Sequence, residues 1–159
     1  MGAPLEESLT TLALPRVDYR DVYSAAVAAD ATLESVARRL FSGGTPRLMR
    51  LRDALVRPLG LKTSPRGAPQ PPSFEPGARV GIFTVFARSQ DEVLFGEDDH
   101  HLDFRLCLRL HPDRRASLTT LVHFGNVWGR AYFLCIRPFH ALVVKRMLRR
   151  LSGADRVRL

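Results

Sequence analysis

The stretch His101–His111 has the sequence His-Leu-Asp-Phe-Arg-Leu-Cys-Leu-Arg-Leu-His and shows the clearest two-residue alternation in the chain. Every second residue from Leu102 to Leu110 is leucine or phenylalanine, and the residues between them are mostly charged. Successive side chains of a β-strand point to opposite faces, so this pattern predicts a strand with one buried face. We expect the other elements of the fold to pack around this strand.

Further strands are predicted on both sides of this stretch. They cover residues 18–27, 79–88, 92–95 and 116–124. The second of these segments is apolar on both alternating faces, so we expect it to be covered on both sides. The hairpin turn at Pro112–Arg115 and the other short links favour antiparallel neighbours.

Two short helices are predicted after the first strand. Asp30 stands where an N-cap is expected, and apolar residues follow it at helical spacing up to the Gly43-Gly44 pair. A second helix is predicted from Thr45, with Pro46 in its first turn, to Gly60. Both helices have an apolar stripe that can cover one end of a sheet.

A long final helix is predicted after Asn126, whose side chain can cap the first turn. Pro138 falls inside this helix and removes one backbone hydrogen bond, so we expect a kink or a split at Arg137. The apolar stripe that we expect to face the sheet consists of Trp128, Tyr132, Ile136, Phe139, Val143, Met147 and Leu151.

The predicted order is one strand, two short helices, a loop, four antiparallel strands and a long helix. A curved antiparallel sheet that wraps around the C-terminal helix accommodates this order, because only that helix is long enough to cover the concave face. The predicted fold class is therefore α+β. The arrangement resembles the helix-grip fold of the START and Bet v 1 type, which implies a ligand cavity between sheet and helix.

The length of 159 residues fits one domain. Residues 18–152 form the predicted domain, an N-terminal arm of residues 1–17 precedes it, and a basic tail of residues 153–159 follows. Residues 63–78 are rich in proline and are predicted to form a long connecting loop.

The formal net charge of +8 is typical of proteins that bind nucleic acid. Only two of the 24 basic residues are lysines, and the arginines are spread along the chain rather than clustered. We therefore expect a solvated basic face rather than a nucleic-acid site.

The N-terminus lacks a basic region followed by an apolar run, and no segment is apolar enough to span a bilayer. We therefore expect a cytoplasmic protein without membrane contact, as a monomer or homodimer. Cys107 and Cys135 are predicted to be small core residues in a reducing compartment, because they form neither a disulfide framework nor a metal-binding pair.

Four groups of motifs in the chain resemble one bacterial family, catalogued as domain of unknown function 2867. The most specific pieces are Asp98–Arg105 and Pro138–His140, and the likeness extends over residues 18–151. The other motifs are Val22-Tyr23-Ser24, Leu51-Arg52-Asp53 with Leu59–Lys62, and Gly129–Phe133. The resemblance implies that relatives occur alone or fused to an NAD(P)-binding domain of the short-chain dehydrogenase type. No Gly-x-Gly-x-x-Gly fingerprint is present in this chain, so no dinucleotide cofactor is expected.

Carboxylates and imidazoles are concentrated between Asp98 and Asp103, and side chains of these kinds can bind a metal ion. A strand places His101 and Asp103 on one face and His100 on the other, and no short pair of histidines supplies further ligands. An acidic turn held by side-chain hydrogen bonds to backbone amides explains the same residues. We therefore predict no metal.

The charged face of the His101–His111 strand allows two interpretations. Asp103 and Arg105 form a charge ladder on an outer surface in the first, which we favour because the opposite face is wholly apolar. In the second they converge with His123 and Arg130 at a cavity mouth, where a carboxylate could orient an imidazole.

His140 also has two interpretations. Its ring can bond the backbone carbonyl that Pro138 leaves free, which is a structural role, or it can contact a ligand.

Three functions follow from these patterns. The first is binding of a small apolar or amphipathic molecule between sheet and helix. The second is a cyclase, dehydratase or hydrolase that uses Asp103 with His101 or His123. The third is docking on a separately encoded oxidoreductase. The residues predicted to contact a ligand are Phe83, Arg105, Trp128, Arg130, Tyr132, Phe139 and His140.

Overall fold

The computed structural model describes residues 8–11, 13–42, 54, 57, 73–81 and 83–152. Its described part has an α+β helix-grip fold, with six strands in one antiparallel sheet of order β1-β6-β5-β4-β3-β2. The elements in chain order are β1 (Tyr19–Ala26), α1 (Leu33–Phe41), β2 (Arg79–Val80), β3 (Phe83–Arg88), β4 (Glu92–Asp98), β5 (Leu102–His111), β6 (Arg115–Phe124) and α2 (Val127–Arg149).

The His101–His111 stretch supplies β5, which pairs with β4 on one side and with β6 on the other. The prediction of an antiparallel arrangement is confirmed. The turn between β5 and β6 contains Arg114 with a φ of 61°, in the left-handed region that a tight hairpin requires. Strand β1 joins β6 at the opposite edge of the sheet from β2.

The prediction of one strand over residues 79–88 is wrong. Gly81 has a φ of 62° and interrupts the segment, so β2 and β3 form a hairpin. Only glycine adopts this backbone conformation at little cost, and the alternating apolar residues on either side concealed the turn. Phe86 in β3 is 41% exposed, so this segment is not covered on both sides.

The predicted N-cap of the first helix is also wrong. The cap is Thr32, whose side chain accepts a hydrogen bond from the Ser35 amide, while the Ser35 hydroxyl accepts from the Thr32 amide. This reciprocal pair satisfies two amides that Asp30 would leave without acceptors. Apart from Ala54 and Arg57, the predicted second helix lies outside the described residues, as does most of the predicted loop at 63–78.

The two helices cover one face of the sheet, which we call the inner face. Buried side chains of α1 and of the C-terminal half of α2 share one core cluster with alternate residues of β3 to β6. Apolar surface removed from water in this cluster stabilises the fold. Its fully buried strand residues include Val85, Phe95, Leu108 and Leu118.

Helix α2 begins at the predicted cap, because the Asn126 side chain accepts from the Gly129 amide at 3.0 Å. It continues through Pro138 without the split that was one predicted alternative. The predicted inward stripe is displaced by about one residue in both halves of the helix, and Trp128 at its start is 66% exposed. The residues of α2 that are buried are Gly129, Phe133, Val144 and Leu148.

Gly129 contributes to this displacement at the start of α2. A Cβ atom at this position would lie 1.8 Å from the carbonyl oxygen of His101. Only glycine allows the helix to approach the chain before β5 so closely, and the helix therefore turns this side toward the sheet. The spacing of apolar side chains alone does not predict that a glycine will face the sheet.

The opposite face of the sheet, which we call the outer face, is also buried at its centre. Arg105 and Cys107 are only 7% and 2% exposed, so the prediction of one buried face on β5 is wrong. Residues 8–11 and 13–18 provide a cover, because the first of these ranges is anchored on β4 and the second on β6. Ser8 Oγ donates to Glu92 at 2.8 Å, and the Asp18 amide donates to the Val122 carbonyl at 2.9 Å.

Candidate functional site

The three residues predicted as catalytic lie at one end of β5 and β6 and have separate partners. Asp103 is opposite His123 in the strand register, on the outer face. His123 Nδ1 lies 2.9 Å from Asp18 Oδ2, which also accepts from the Phe124 amide. This pairing attaches the N-terminal segment to the sheet.

Asp103 lies in a partly buried, acidic environment. Burial raises the pKa of its carboxyl, and the neighbouring Asp98 carboxylate raises it further. His101 instead faces the start of α2, with Nδ1 3.0 Å from the Asn126 side-chain nitrogen. In the structure, His123 therefore contacts the N-terminal segment and His101 contacts the start of α2.

Arg105 occupies the outer face, where its Nη1 atom lies 2.6 Å from Asp98. Its guanidinium stacks 3.9 Å above the Phe86 ring, in a cation–π contact. Gly96 makes room for this side chain, since a Cβ there would lie 2.7 Å from Arg105 Cδ. Arg130 lies against Phe124 at 5.6 Å on an exposed part of α2.

The predicted apolar ligand-binding residues separate in the structure. Phe83 is half-buried on the inner face, where it stacks on Phe104 with 5.6 Å between ring centroids. Trp128 and Phe139 are 66% and 37% exposed, and Tyr132 is half-buried. Trp128 and Phe139 therefore present much of their surface to solvent rather than to the sheet.

The inner face holds a cluster of polar side chains between β1, β6 and α2. His140 Nε2 lies 3.2 Å from Asp21 Oδ2 and 3.1 Å from Thr120 Oγ1. Asp21 and Thr120 are direct partners in the strand register, so the two strands present both oxygens to the helix at one level. Predicted bonding of His140 to the carbonyl freed by Pro138 is wrong, because its hydrogen bonds go to the sheet.

Tyr19 completes this cluster. Its hydroxyl donates to Asp21 Oδ2 at 2.8 Å, and its ring packs 4.6 Å from that of Phe133. Burial raises the pKa of the phenol, and its hydrogen bond to the Asp21 carboxylate raises it further.

Asp21 is ionised in this environment. Burial raises the pKa of its carboxyl, but the hydrogen bonds from His140 and Tyr19 outweigh burial and the net shift is downward. The side chain is only 13% exposed. Its other oxygen, Oδ1, is buried and has no hydrogen-bond partner among the described residues. An ionised oxygen left in this state is costly, so it is a strong acceptor for any donor that reaches it.

Aromatic rings lead from this cluster across the inner face to α1. We call the four residues Phe41, Phe83, Phe104 and His140 the aromatic row. Ring centroids are 6.3 Å apart for the first pair, 5.6 Å for the second and 6.1 Å for the third. All four side chains are half-buried, so each retains surface that a bound molecule can cover.

Sequence patterns indicated His140 and Phe83 but missed Asp21, Tyr19 and Thr120. A signal was present, because β1 alternates and puts Tyr19, Asp21 and Tyr23 on one face. A carboxylate between two tyrosines on a face that must be buried indicates a polar site. Thr120 carried no comparable signal, since threonine is common in strands.

No group of three or more histidine, cysteine, aspartate or glutamate side chains in the described ranges could hold a metal ion. Among the described helices, neither has the length and apolar composition needed to span a bilayer. A cavity of about 320 Å³ lies beside the start of α1 and is separate from the aromatic row. Its lining includes Val27, Asp30, Thr32, Ser35, Arg39 and Leu151.

Comparison with known proteins agrees with the family that the motifs resemble. A search of curated proteins found no match to the chain. A family model described as "Protein of unknown function (DUF2867)" matches residues 13–147, which include every element from β1 to most of α2. The chain therefore belongs to the DUF2867 family, whose description leaves the function open.

Proposed function

We propose that this domain binds a small amphipathic molecule on the inner face of the sheet, beside α2. Its apolar part covers the aromatic row, and its polar end donates a hydrogen bond to Asp21. The observation that carries the proposal is the buried Asp21 Oδ1 atom, which has no donor among the described residues.

The aromatic row supports the apolar half of this proposal. Ligand sites in proteins are usually apolar surfaces with a few convergent polar groups, and aromatic rings bury a large area at little entropic cost. Phe83, Phe104 and His140 meet this description because they are partly exposed and contact one another.

Asp21 supports the polar half. A ligand hydroxyl or N–H that reaches Oδ1 gains a charge-assisted hydrogen bond, which is about twice as strong as a neutral one. The polar anchor in this proposal is therefore Asp21 with His140, in place of the Arg105 and Arg130 anchors that the sequence suggested. Arg105 already bonds to Asp98 on the outer face.

A matched pair of probes tests this site. The naphthalene rings of 2-naphthol and 2-methoxynaphthalene are the same, but only the first compound has an O–H donor. We expect saturable binding of both by fluorescence, with 2-naphthol bound about tenfold tighter because of the charged acceptor. Asp21→Asn removes the preference for 2-naphthol, whereas Phe104→Ala weakens both probes.

Val22→Ala is the control. Val22 follows Asp21 in β1, its side chain points to the outer face, and it is 52% exposed. It should bind both probes as the wild type does. The proposal fails if neither probe binds saturably, or if Asp21→Asn keeps the full preference for 2-naphthol.

A second candidate function is docking on an acidic surface of an oxidoreductase of the short-chain dehydrogenase type. It is favoured by the exposed apolar side chains of α2, including Trp128 and Leu134, at 66% and 63% exposure. No acidic residue occurs between Asp113 and Asp155, so α2 is basic as well as apolar. An acidic partner surface complements both properties.

This second candidate predicts a salt-sensitive complex with a purified, separately encoded oxidoreductase of the short-chain dehydrogenase type. Trp128→Glu should weaken the complex at least tenfold by surface plasmon resonance, and Val22→Ala should not. Equal affinity of the wild type and Trp128→Glu would eliminate α2 as the docking surface.

A further inference from the structure

We infer that His140 is an acid–base catalyst that moves a proton on the bound molecule, and that Asp21 is its positioning residue. This inference rests on the proposed function, because the reacting molecule has to occupy the same inner-face site. It adds a reaction class, proton transfer without change of oxidation state. It also adds a substrate class, apolar carbonyl compounds that carry a hydroxyl as the donor to Asp21.

The geometry fixes which ring nitrogen of His140 holds the proton. Asp21 Oδ2 lies 3.2 Å from Nε2, and an ionised carboxylate can only accept a hydrogen bond. The neutral imidazole therefore places its single N–H at Nε2. Thr120 Oγ1, 3.1 Å from the same nitrogen, lies where it can share that proton.

The lone pair of the neutral ring is consequently at Nδ1. Both hydrogen bonds of this side chain, to Asp21 and Thr120, involve Nε2, and no other described residue bonds to the ring. Nδ1 is thus free to take a proton from a molecule on the aromatic row. When it does, the Asp21 carboxylate stabilises the imidazolium that forms, as in other carboxylate–histidine pairs.

The surroundings suit such a proton transfer. His140 contacts Phe104 edge to face, and its side chain is only 13% exposed. Burial of the pair strengthens the electrostatic effect of Asp21 on the ring. It also favours an apolar substrate over a charged one.

The reaction that this arrangement supports needs only His140 to accept a proton and to return it. The C–H bond next to a carbonyl breaks, its electron pair forms the enolate, and the proton goes to Nδ1. In a β,γ-unsaturated carbonyl compound, return of the same proton to the γ-carbon gives the conjugated isomer and restores the neutral imidazole. No oxidant, reductant or cofactor is consumed.

The probe 5-nitrobenzisoxazole tests the base directly. Loss of its ring C–H proton to Nδ1 supplies the electrons for the nitrile, breaks the N–O bond and releases a coloured phenolate. We expect the wild type to accelerate this opening about 100-fold more than His140→Ala, the lower end of the usual general-base effect. His140→Gln is the second variant, because it retains a polar side chain of similar length.

Nitrogen-15 NMR of the histidine rings supplies a readout that needs no substrate. The expected signal pattern for His140 is a protonated Nε2 and an unprotonated Nδ1. Asp21→Asn should produce a mixture of the two tautomers and a smaller rate, whereas a merely structural Asp21 would leave the tautomer unchanged. Val22→Ala should match the wild type in both measurements.

The outcomes separate this inference from the proposed function. Saturable 2-naphthol binding without His140-dependent ring opening overturns the catalytic role and leaves ligand binding intact. A neutral ring protonated at Nδ1 also overturns it. Absence of binding of either naphthalene probe refutes the proposed function itself, and the inference with it.

Discussion

The carboxylate of Asp21 and the imidazole of His140 lie 3.2 Å apart and connect the first strand of the sheet to the middle of the C-terminal helix. The residues are far apart in the sequence, and both side chains are only 13% exposed. This contact therefore joins two elements across the interface between sheet and helix, in addition to forming the proposed site.

A double-mutant cycle measures this contact. His140→Ala leaves the Asp21 carboxylate with one donor fewer in a buried position, so the free energy of unfolding should fall by about 1–3 kcal/mol. Asp21→Ala should be destabilising as well. Because the two residues interact directly, the double variant should cost less than the sum of the single variants, with a coupling of about 1 kcal/mol. Urea unfolding provides all four values, and strict additivity would show that the contact contributes nothing.

Asp18 predicts a specific acid sensitivity. The Phe124 amide, the Arg16 guanidinium and His123 together lower the pKa of Asp18 to about 2, against the opposing effect of burial. A carboxyl with a lowered folded-state pKa stabilises the protein above its unfolded-state pKa near 3.8 and loses this contribution as the pH falls toward 2. The Tm difference between the wild type and Asp18→Asn should therefore be constant above about pH 5 and shrink between about pH 4 and pH 2.

Asp113→Asn, in the exposed hairpin turn between β5 and β6, is the control for Asp18. It should follow the wild type across the same pH range, as measured by circular dichroism. A Tm difference for Asp18→Asn that does not change with pH would contradict this account of the N-terminal anchor.

The N-terminal segment should contribute to stability through Leu14. This side chain is 9% exposed, whereas Val17 in the same segment is 44% exposed. Leu14→Ala should lower the free energy of unfolding by about 2 kcal/mol, as expected for truncation of a buried leucine. Val17→Ala should change it by less than about 0.5 kcal/mol. Equal effects of the two substitutions in urea unfolding would mean that the segment is not held against the sheet.

The two thiols should differ strongly in reactivity. Cys107 is 2% exposed, and burial raises the pKa of its thiol to about 12, so almost no thiolate forms at neutral pH. Cys135 is exposed on α2, contrary to its predicted place in the core. Ellman's reagent should modify one thiol rapidly in the native protein and both after unfolding. Cys135→Ser should abolish the rapid reaction, and rapid modification of Cys107 would be inconsistent with its burial.

The fold was predictable where local patterns repeat. Two-residue alternation located β5 and β6, and the Asn126 cap located the start of α2. Errors arose where a glycine determines the outcome. Gly81 creates a hairpin inside an apolar run, and Gly129 allows the start of α2 to pack against the chain before β5. A prediction from the spacing of apolar side chains takes no account of glycine, which has no side chain.

The candidate site was predictable only in part. His140 and Phe83 were identified, because a histidine after Pro-Phe and an aromatic residue in an apolar strand are conspicuous in the sequence. Asp103 and His101, which are close together in sequence, were predicted as catalytic residues with His123, and the structure gives the two histidines separate partners. Residues that form a site through the pairing of distant elements have no such proximity.

By itself, the sequence determined the fold class, the antiparallel order of β3 to β6 and the family, since these follow from local periodicity, turns and contiguous motifs. Only the tertiary structure decided which face of α2 meets the sheet and which polar residues share a site. Pairing of β1 with β6 brings Asp21 beside Thr120, and the close approach of α2 places His140 above both. These distances depend on contacts between segments far apart in the chain, which no local pattern specifies.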